Sequence, residues 1–266
     1  MTFAAKYGPW GVVAGGSEGL GEAFARELAS HGLNLVLVAR RKDALEHAAA
    51  RLRADHGVDV RTIVRDLADK DAADSLIRDT GGLEIGMLVC DAAVTYTGPF
   101  LAPDMADYRR MLDVNCASVL GLMHGYGRLM AARARGGIIV MSSMAAFQGS
   151  PVVSVYAATK SFLLTLVEGA GDELREVGVD TLACCPAVVR TPHFLSDGHP
   201  AGKSVPLSLE PEVVARLAVQ ALGRKRVLVP GLMGRMAHAM MSRLMPRAAA
   251  VSMMGRSTRA LYRQVP

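Results

Sequence analysis

Tyr156 and Lys160 stand four residues apart in Val155-Tyr-Ala-Ala-Thr-Lys-Ser161, and Ser143 closes the apolar run Gly137-Ile-Ile-Val-Met-Ser-Ser143 thirteen residues upstream. On a helix, positions i and i+4 share a face, so a phenol and an ammonium would point into one cleft while the serine arrives from a neighbouring strand. A free phenol ionises near about pH 10, and a close cation favours its phenolate, so the expectation is that Lys160 draws Tyr156 towards a useful range. That is the chemistry of proton transfer to or from a substrate oxygen. Tyr-x-x-x-Lys alone is also common on solvated helix faces; the rest of the chain gives it meaning.

Those side chains need elements to hold them. Short apolar runs alternate with helix-patterned stretches as far as about residue 230. The predicted strands are 11–14, 33–39, 58–64, 86–90, 137–141, 179–185 and 226–229. Between them, 21–30, 43–55, 68–79, 105–132, 154–177 and 212–222 carry apolar residues three and four apart. Such alternation predicts parallel strands joined by right-handed crossovers. The expected fold is a single α/β domain over residues 1–230, a doubly wound Rossmann sheet of seven strands with helices on both faces. Residues 191–210, rich in Pro and Gly, follow a strand end, where such sheets keep ligands, and are the expected substrate loop. Residues 231–266 form a basic, Met-rich extension with helical spacing.

Ala14-Gly-Gly-Ser-Glu-Gly-Leu-Gly21 joins the first strand to the first helix. Gly15, Gly19 and Gly21 fall where the chain must turn sharply and admit a dinucleotide against its backbone. Ser17, Glu18 and Leu20 complete the cradle, and free amides at the helix N-terminus would meet the pyrophosphate. The second strand ends Val38-Ala39-Arg40-Arg41 with no acid to hold a ribose 2′-hydroxyl. Arg40 and Arg41 suit a 2′-phosphate instead, which favours NADP(H) over NAD(H). Asp66, in Val64-Arg-Asp-Leu67, is placed to accept from an adenine amino group or to stand in the N-cap region of the next helix.

With 51% hydrophobic and 21% charged residues in 266, the chain is long and apolar enough for a substantial core. No run reaches the length of a membrane span, and the N-terminus lacks a secretory pattern. Cys90, Cys116, Cys184 and Cys185 show no metal-ligand spacing and read as small buried hydrophobes, which with the preceding points gives a cytoplasmic expectation and no metal. Of 30 basic residues, ten lie in 213–266, which holds no Asp or Glu.

Taken together, the glycine turn, Asn115, Ser143, Tyr156 and Lys160 make the chain resemble a classical short-chain dehydrogenase/reductase over about residues 8–230. The resemblance implies a catalytic set of Asn115, Ser143, Tyr156 and Lys160: Tyr156 exchanges the proton as hydride passes to or from a nicotinamide. Lys160 lowers its pKa and grips the nicotinamide ribose, Ser143 bonds the substrate oxygen, and Asn115 holds a water leading from Lys160 to solvent. It implies an adenine pocket at Asp66-Leu67. Pro186-Ala187-x-Val189-x-Thr191 matches the segment that holds the nicotinamide carboxamide. Three positions depart from the pattern: Ala14 replaces a threonine, Ala187 replaces a glycine, and Cys90-Asp91-Ala92-Ala93 stands for Asn-Asn-Ala-Gly, putting a carboxylate beside the cofactor path.

The expected activity is interconversion of a ketone and a secondary alcohol. Phe194, Leu195, Val205, Leu207, Leu209 and the nearby Pro151-Val-Val153 point to a hydrophobic substrate such as a steroid-like, lipid or aromatic ketone. A rival is a nucleotide-binding regulatory or scaffold protein of the same fold with little turnover. The extension is expected to pack over the substrate cleft or against another subunit, with peripheral membrane contact as the next reading; sparse aromatics argue against nucleic acid. Family members are commonly homodimers or homotetramers.

Overall fold

The computed structural model describes residues 2–192, 194 and 208–262. Seven parallel strands form one sheet in the order β3-β2-β1-β4-β5-β6-β7. They are β1 Trp10–Ala14, β2 Asn34–Ala39, β3 Val60–Val64, β4 Ile85–Cys90, β5 Gly136–Met141, β6 Val179–Cys184 and β7 Val227–Leu228. Each predicted strand is present, with ends shifted by one or two residues.

Burial explains why the strands read as continuous apolar runs. Every residue of β1, β4 and β5 is buried, because helices cover both faces of the sheet. One layer includes Phe24, Leu28, Leu45 and Leu52 from helices Gly19–Ser30 and Lys42–His56, packed with Val13, Leu35 and Leu37. The other packs Leu122, Tyr126, Leu163 and Val167 against Val12, Leu88 and Ile138. The topological switch lies between β1 and β4, whose C-terminal ends open the crevice where such sheets bind ligands.

Three elements differ from expectation. The predicted helix over 105–132 is broken into Met105–Leu112, a π turn at Asp113–Ala117, and Ser118–Ala131. A short helix, Phe3–Tyr7, precedes β1, and the Tyr7 hydroxyl donates to Asp180 at 2.6 Å, tying it to β6. The helix after β3 begins at Ala72 rather than 68. The four cysteines are free; Cys90, Cys184 and Cys185 are buried as expected, with burial pushing the Cys90 and Cys185 thiols up to about 12, whereas Cys116 is only half-buried.

The extension forms helix Leu232–Ala239, a π turn at Met240–Leu244 and helix Arg247–Leu261. It lies against the turn that follows β5. Phe147 and His238 rings are 3.9 Å apart, and the Thr258 hydroxyl donates to the Pro151 carbonyl at 2.9 Å.

Candidate active site

The loop from β1 into helix Gly19–Ser30 is built by close backbone approach. Gly15 takes φ +99° and Gly19 φ +59°, conformations that favour glycine. A Cβ on Gly15 would stand 2.6 Å from the Ala92 nitrogen, and one on Gly21 would stand 2.0 Å from the Gly15 carbonyl oxygen. The Glu18 side chain makes no capping hydrogen bond, and Gly19 and Leu20 at the start of the helix line the crevice.

That crevice encloses about 530 Å³. It gathers Gly15, Ser17, Glu18, Gly19 and Leu20 from the turn, and Arg40, Arg41, Asp66 and Leu67 from the ends of β2 and β3. Asp91, Ala92 and Ala93 form its floor beyond β4; Tyr156 and Thr191 close it. Gly21 sits behind the turn and sets its curvature. Pro186, Ala187 and Val189 do not line the crevice: the Pro186 carbonyl accepts from Met144 N–H at 2.9 Å, and Val189 bridges Leu209. Most of the expected substrate loop 191–210, including Leu195, Val205 and Leu207, lies outside the described residues.

Two of the residues expected at the cofactor are already engaged. Arg41 pairs with Glu18 at 2.5 Å, so it would have to exchange that carboxylate for a phosphate. Arg40 has no carboxylate at ion-pair distance among the described residues and is the better-placed donor. Asp66 accepts from the Arg110 guanidinium at 2.6 Å and from Ala68 N–H at 3.0 Å, and these bonds hold its carboxyl below the usual range even though burial works the other way. It is not an N-cap, since the next helix starts six residues later after Asp71. Glycine approach, helix amides and an unpaired Arg40 beside Ala39 fit NADP(H) as the dinucleotide.

After β5, Ser143 caps the short turn Met144–Phe147 by accepting from Ala145 N–H at 3.1 Å, and its hydroxyl works to lower the pKa of the Tyr156 phenol. Tyr156 and Lys160 share the inward face of helix Ser154–Glu176, with the ammonium 5.5 Å from the phenol ring centre. Lys160 is 3% exposed and donates to the Met141 carbonyl at 2.7 Å. Asn115, fully buried in the π turn, accepts from Val94 N–H at 2.8 Å and donates to the Val94 carbonyl at 2.9 Å and to Thr159 Oγ1 at 3.1 Å. Its amide is therefore spent on fixing the loop after β4 to the catalytic helix.

The short chain dehydrogenase family model matches residues 10–199, well over half of the chain. The chain belongs to the short-chain dehydrogenase family. It is 34% identical over 235 residues to a 7beta-hydroxysteroid dehydrogenase of Clostridium sardiniense, covering 88% of this chain and 90% of that one. It is also 30% identical to a human very-long-chain 3-oxoacyl-CoA reductase, covering 96% and 82%. Among solved structures, one from a study of 7beta-hydroxysteroid dehydrogenase stereoselectivity superposes with a TM-score of 0.88 at 28% identity, over 96% of this chain and 99% of that one. A short-chain dehydrogenase from Sphingobium yanoikuyae in complex with NADPH superposes with a TM-score of 0.76 at 29% identity, over 84% and 86%.

As a short-chain dehydrogenase the protein is an oxidoreductase, and its charge arrangement carries a feature of its own. Burial pushes the Tyr156 phenol well up, Tyr262 and Asp91 add to the rise, and the Ser143 hydrogen bond opposes it. Lys160 is not among the main influences on that phenol; its ammonium donates to the Met141 carbonyl and lies 5.5 Å from the ring centre. Burial also pushes Asp91 up and Lys160 down, and each partly offsets the other. The Asp91 carboxylate meanwhile accepts from Gly21 N–H at the helix start. Asp91 thus holds positive charge on Lys160 and proton on Tyr156. Replacing it by neutral Asn lowers both pKa values, so the pH profile of kcat/KM should move acidward. A profile that stays in place would show that the carboxylate does not reach the pair.

Sequence reasoning missed Arg110, Val94 and Thr159, whose roles come from contacts across 44, 21 and 44 residues of chain. Arg65, Thr95 and Val114 also line the crevice without having been expected there, and Pro192 joins them from the expected substrate loop. Val152 takes φ +63°, rare for a β-branched residue, one position before the N-cap of the catalytic helix. Its carbonyl accepts from Gly98 N–H at 2.8 Å, and the neighbouring Pro151 carbonyl accepts from Thr258, so the strained corner is held from both sides.

Proposed function

We propose that the protein interconverts a ketone and a secondary alcohol on a bulky hydrophobic, steroid-like substrate, using NADP(H). The observation that carries this is the Tyr156 phenol lining the same crevice as the glycine turn, Arg40 and Asp66, with the Lys160 ammonium 5.5 Å from its ring centre. A bound nicotinamide supplies or receives the hydride. In the reductive direction Ser143 donates a hydrogen bond to the substrate oxygen as negative charge grows there, and Tyr156 hands over its proton. Lys160, anchored on Met141, keeps a cation behind the phenol and offers its remaining donors to the ribose. Asn115 keeps Val94 and Thr159 in register with the catalytic helix.

The substrate class is supported by relatives that carry the 7beta-hydroxysteroid dehydrogenase name. Helix Arg247–Leu261 donates from Thr258 to the Pro151 carbonyl, and Tyr262 at its end lies near enough to raise the Tyr156 pKa. A homodimer or homotetramer is the expected assembly.

Cofactor choice is tested by comparing NADPH with NADH at 340 nm against hydroxysteroids, oxosteroids and simple ketones. The wild type should prefer NADPH. Arg40→Ala should raise the KM for NADPH about tenfold, the loss of one charge-assisted phosphate contact, with little effect on NADH. Equal use of both cofactors by the wild type would remove the NADP(H) assignment.

A further inference from the structure

The helix of Leu232–Ala239, continued by the π turn Met240–Leu244, is apolar on two opposite faces. Its inner face is accounted for: Gly234 packs near Val229 and Met144, Met241 is buried, and His238 lies on Phe147. Its outer face carries Leu232, Met233, Met236, Met240 and Leu244, which are 64%, 63%, 60%, 42% and 80% exposed. With 100° between residues these five fall within one third of the helix circumference, opposite Gly234 and Met241. Scattered surface apolar residues are ordinary, but five on one stripe are a contact surface.

The charges around the stripe indicate what it meets. Arg235 and Arg243 are exposed on the same helix and turn, Arg247 is exposed three residues beyond them, and no Asp or Glu occurs anywhere in 213–266. A second copy docking through the same face about a two-fold axis would bring arginine against arginine with no acid of this segment to separate them. An anionic bilayer surface satisfies both features, since headgroups accept the guanidinium charges while methionine and leucine side chains enter the acyl boundary. No helix among the described residues is long and apolar enough to cross a membrane, so the contact is a surface one.

We propose that the outer face of 232–247 docks this protein on anionic lipid bilayers. The inner face of the same helix rests on Met144 and Phe147, the turn beginning beside Ser143, so docking would set the catalytic cleft close to the lipid. That corollary, unlike the docking itself, rests on the proposed hydrophobic substrate.

The test is cosedimentation of the full chain with vesicles of phosphatidylcholine alone and of an equal mixture of phosphatidylcholine and phosphatidylglycerol. Binding to the mixed vesicles should be about tenfold tighter and should weaken as salt is raised. Met236→Asp combined with Leu244→Asp should abolish it while NADPH turnover and the melting temperature hold. Arg235→Gln with Arg243→Gln should erase the preference for anionic lipid and serves if the first variant folds poorly. Equal affinity for both vesicles, or none for either, would overturn the proposal. So would a Met236→Asp, Leu244→Asp protein that loses an oligomer by light scattering when the wild type binds no vesicle, which would assign the face to another copy.

Discussion

Tyr156→Phe should reduce kcat by at least about a thousandfold, within the range ascribed to a positioned acid–base group, and leave the NADPH dissociation constant nearly unchanged. The substitution removes one oxygen and keeps the ring over which Lys160 lies at 5.5 Å. The helix, the Lys160 bond to Met141 and the nearby crevice wall therefore persist. What disappears is the proton that must reach the substrate oxygen as hydride arrives, and the Ser143 hydroxyl alone supplies a hydrogen bond but no comparable acid. Stopped-flow turnover and NADPH fluorescence titration separate the two effects. Retained turnover would remove Tyr156 from the proton-transfer role; a parallel loss of NADPH binding would mean that the phenol acts mainly by shaping the crevice.

Gly21→Ala should be nearly as damaging, by a different route. Its new Cβ would fall 2.0 Å from the Gly15 oxygen and 2.7 Å from the Gly15 carbonyl carbon, with the Asp91 carboxylate 3.0 Å away. Backbone rather than a flexible side chain is in the way, so the turn itself must open. Overpacking of this kind costs about 1–3 kcal/mol, and opening the turn moves the amides that face the pyrophosphate, so NADPH affinity should fall at least about tenfold. Gly169→Ala is the control, because nothing lies within 4 Å of its Cβ position in helix Ser154–Glu176. That change should raise stability by about 0.5–1 kcal/mol through helix propensity and leave NADPH binding alone. Thermal melts with and without NADPH distinguish them; equal behaviour of the two variants would contradict the crowding argument.

The parts of this molecule legible in its sequence are those governed by local periodicity or by motifs of fixed spacing. Val12, Val13, Leu88 and Ile139 are wholly buried between helical layers, so their strands announce themselves as unbroken apolar runs. Gly15, Gly19 and Gly21 mark the turn because that backbone path excludes a Cβ. The π turn at Asp113–Ala117 left no such mark, since its residues continue the apolar spacing of the helices on either side. The pairing of Asp66 with Arg110, the clamp of Asn115 on Val94 and the restraint of Arg41 by Glu18 depend on which side chains the fold brings together. Lys160 shows the same limit in its chemistry. Its spacing from Tyr156 was readable, whereas its bond to Met141 and its charge balance with Asp91 arise from burial.

The central claim is that this site passes hydride between a nicotinamide and a carbinol carbon. Incubating the enzyme with a 7-oxosteroid and NADPH deuterated at C4 of the nicotinamide, followed by mass spectrometry of the alcohol formed, tests it most directly. The stereoisomer of the reduced cofactor that the enzyme uses should deliver one deuterium to the new carbinol carbon, and Tyr156→Phe should deliver almost none. If NADPH binds in the crevice but neither this ketone nor any other of a broad panel takes up deuterium from either stereoisomer, the account is contradicted.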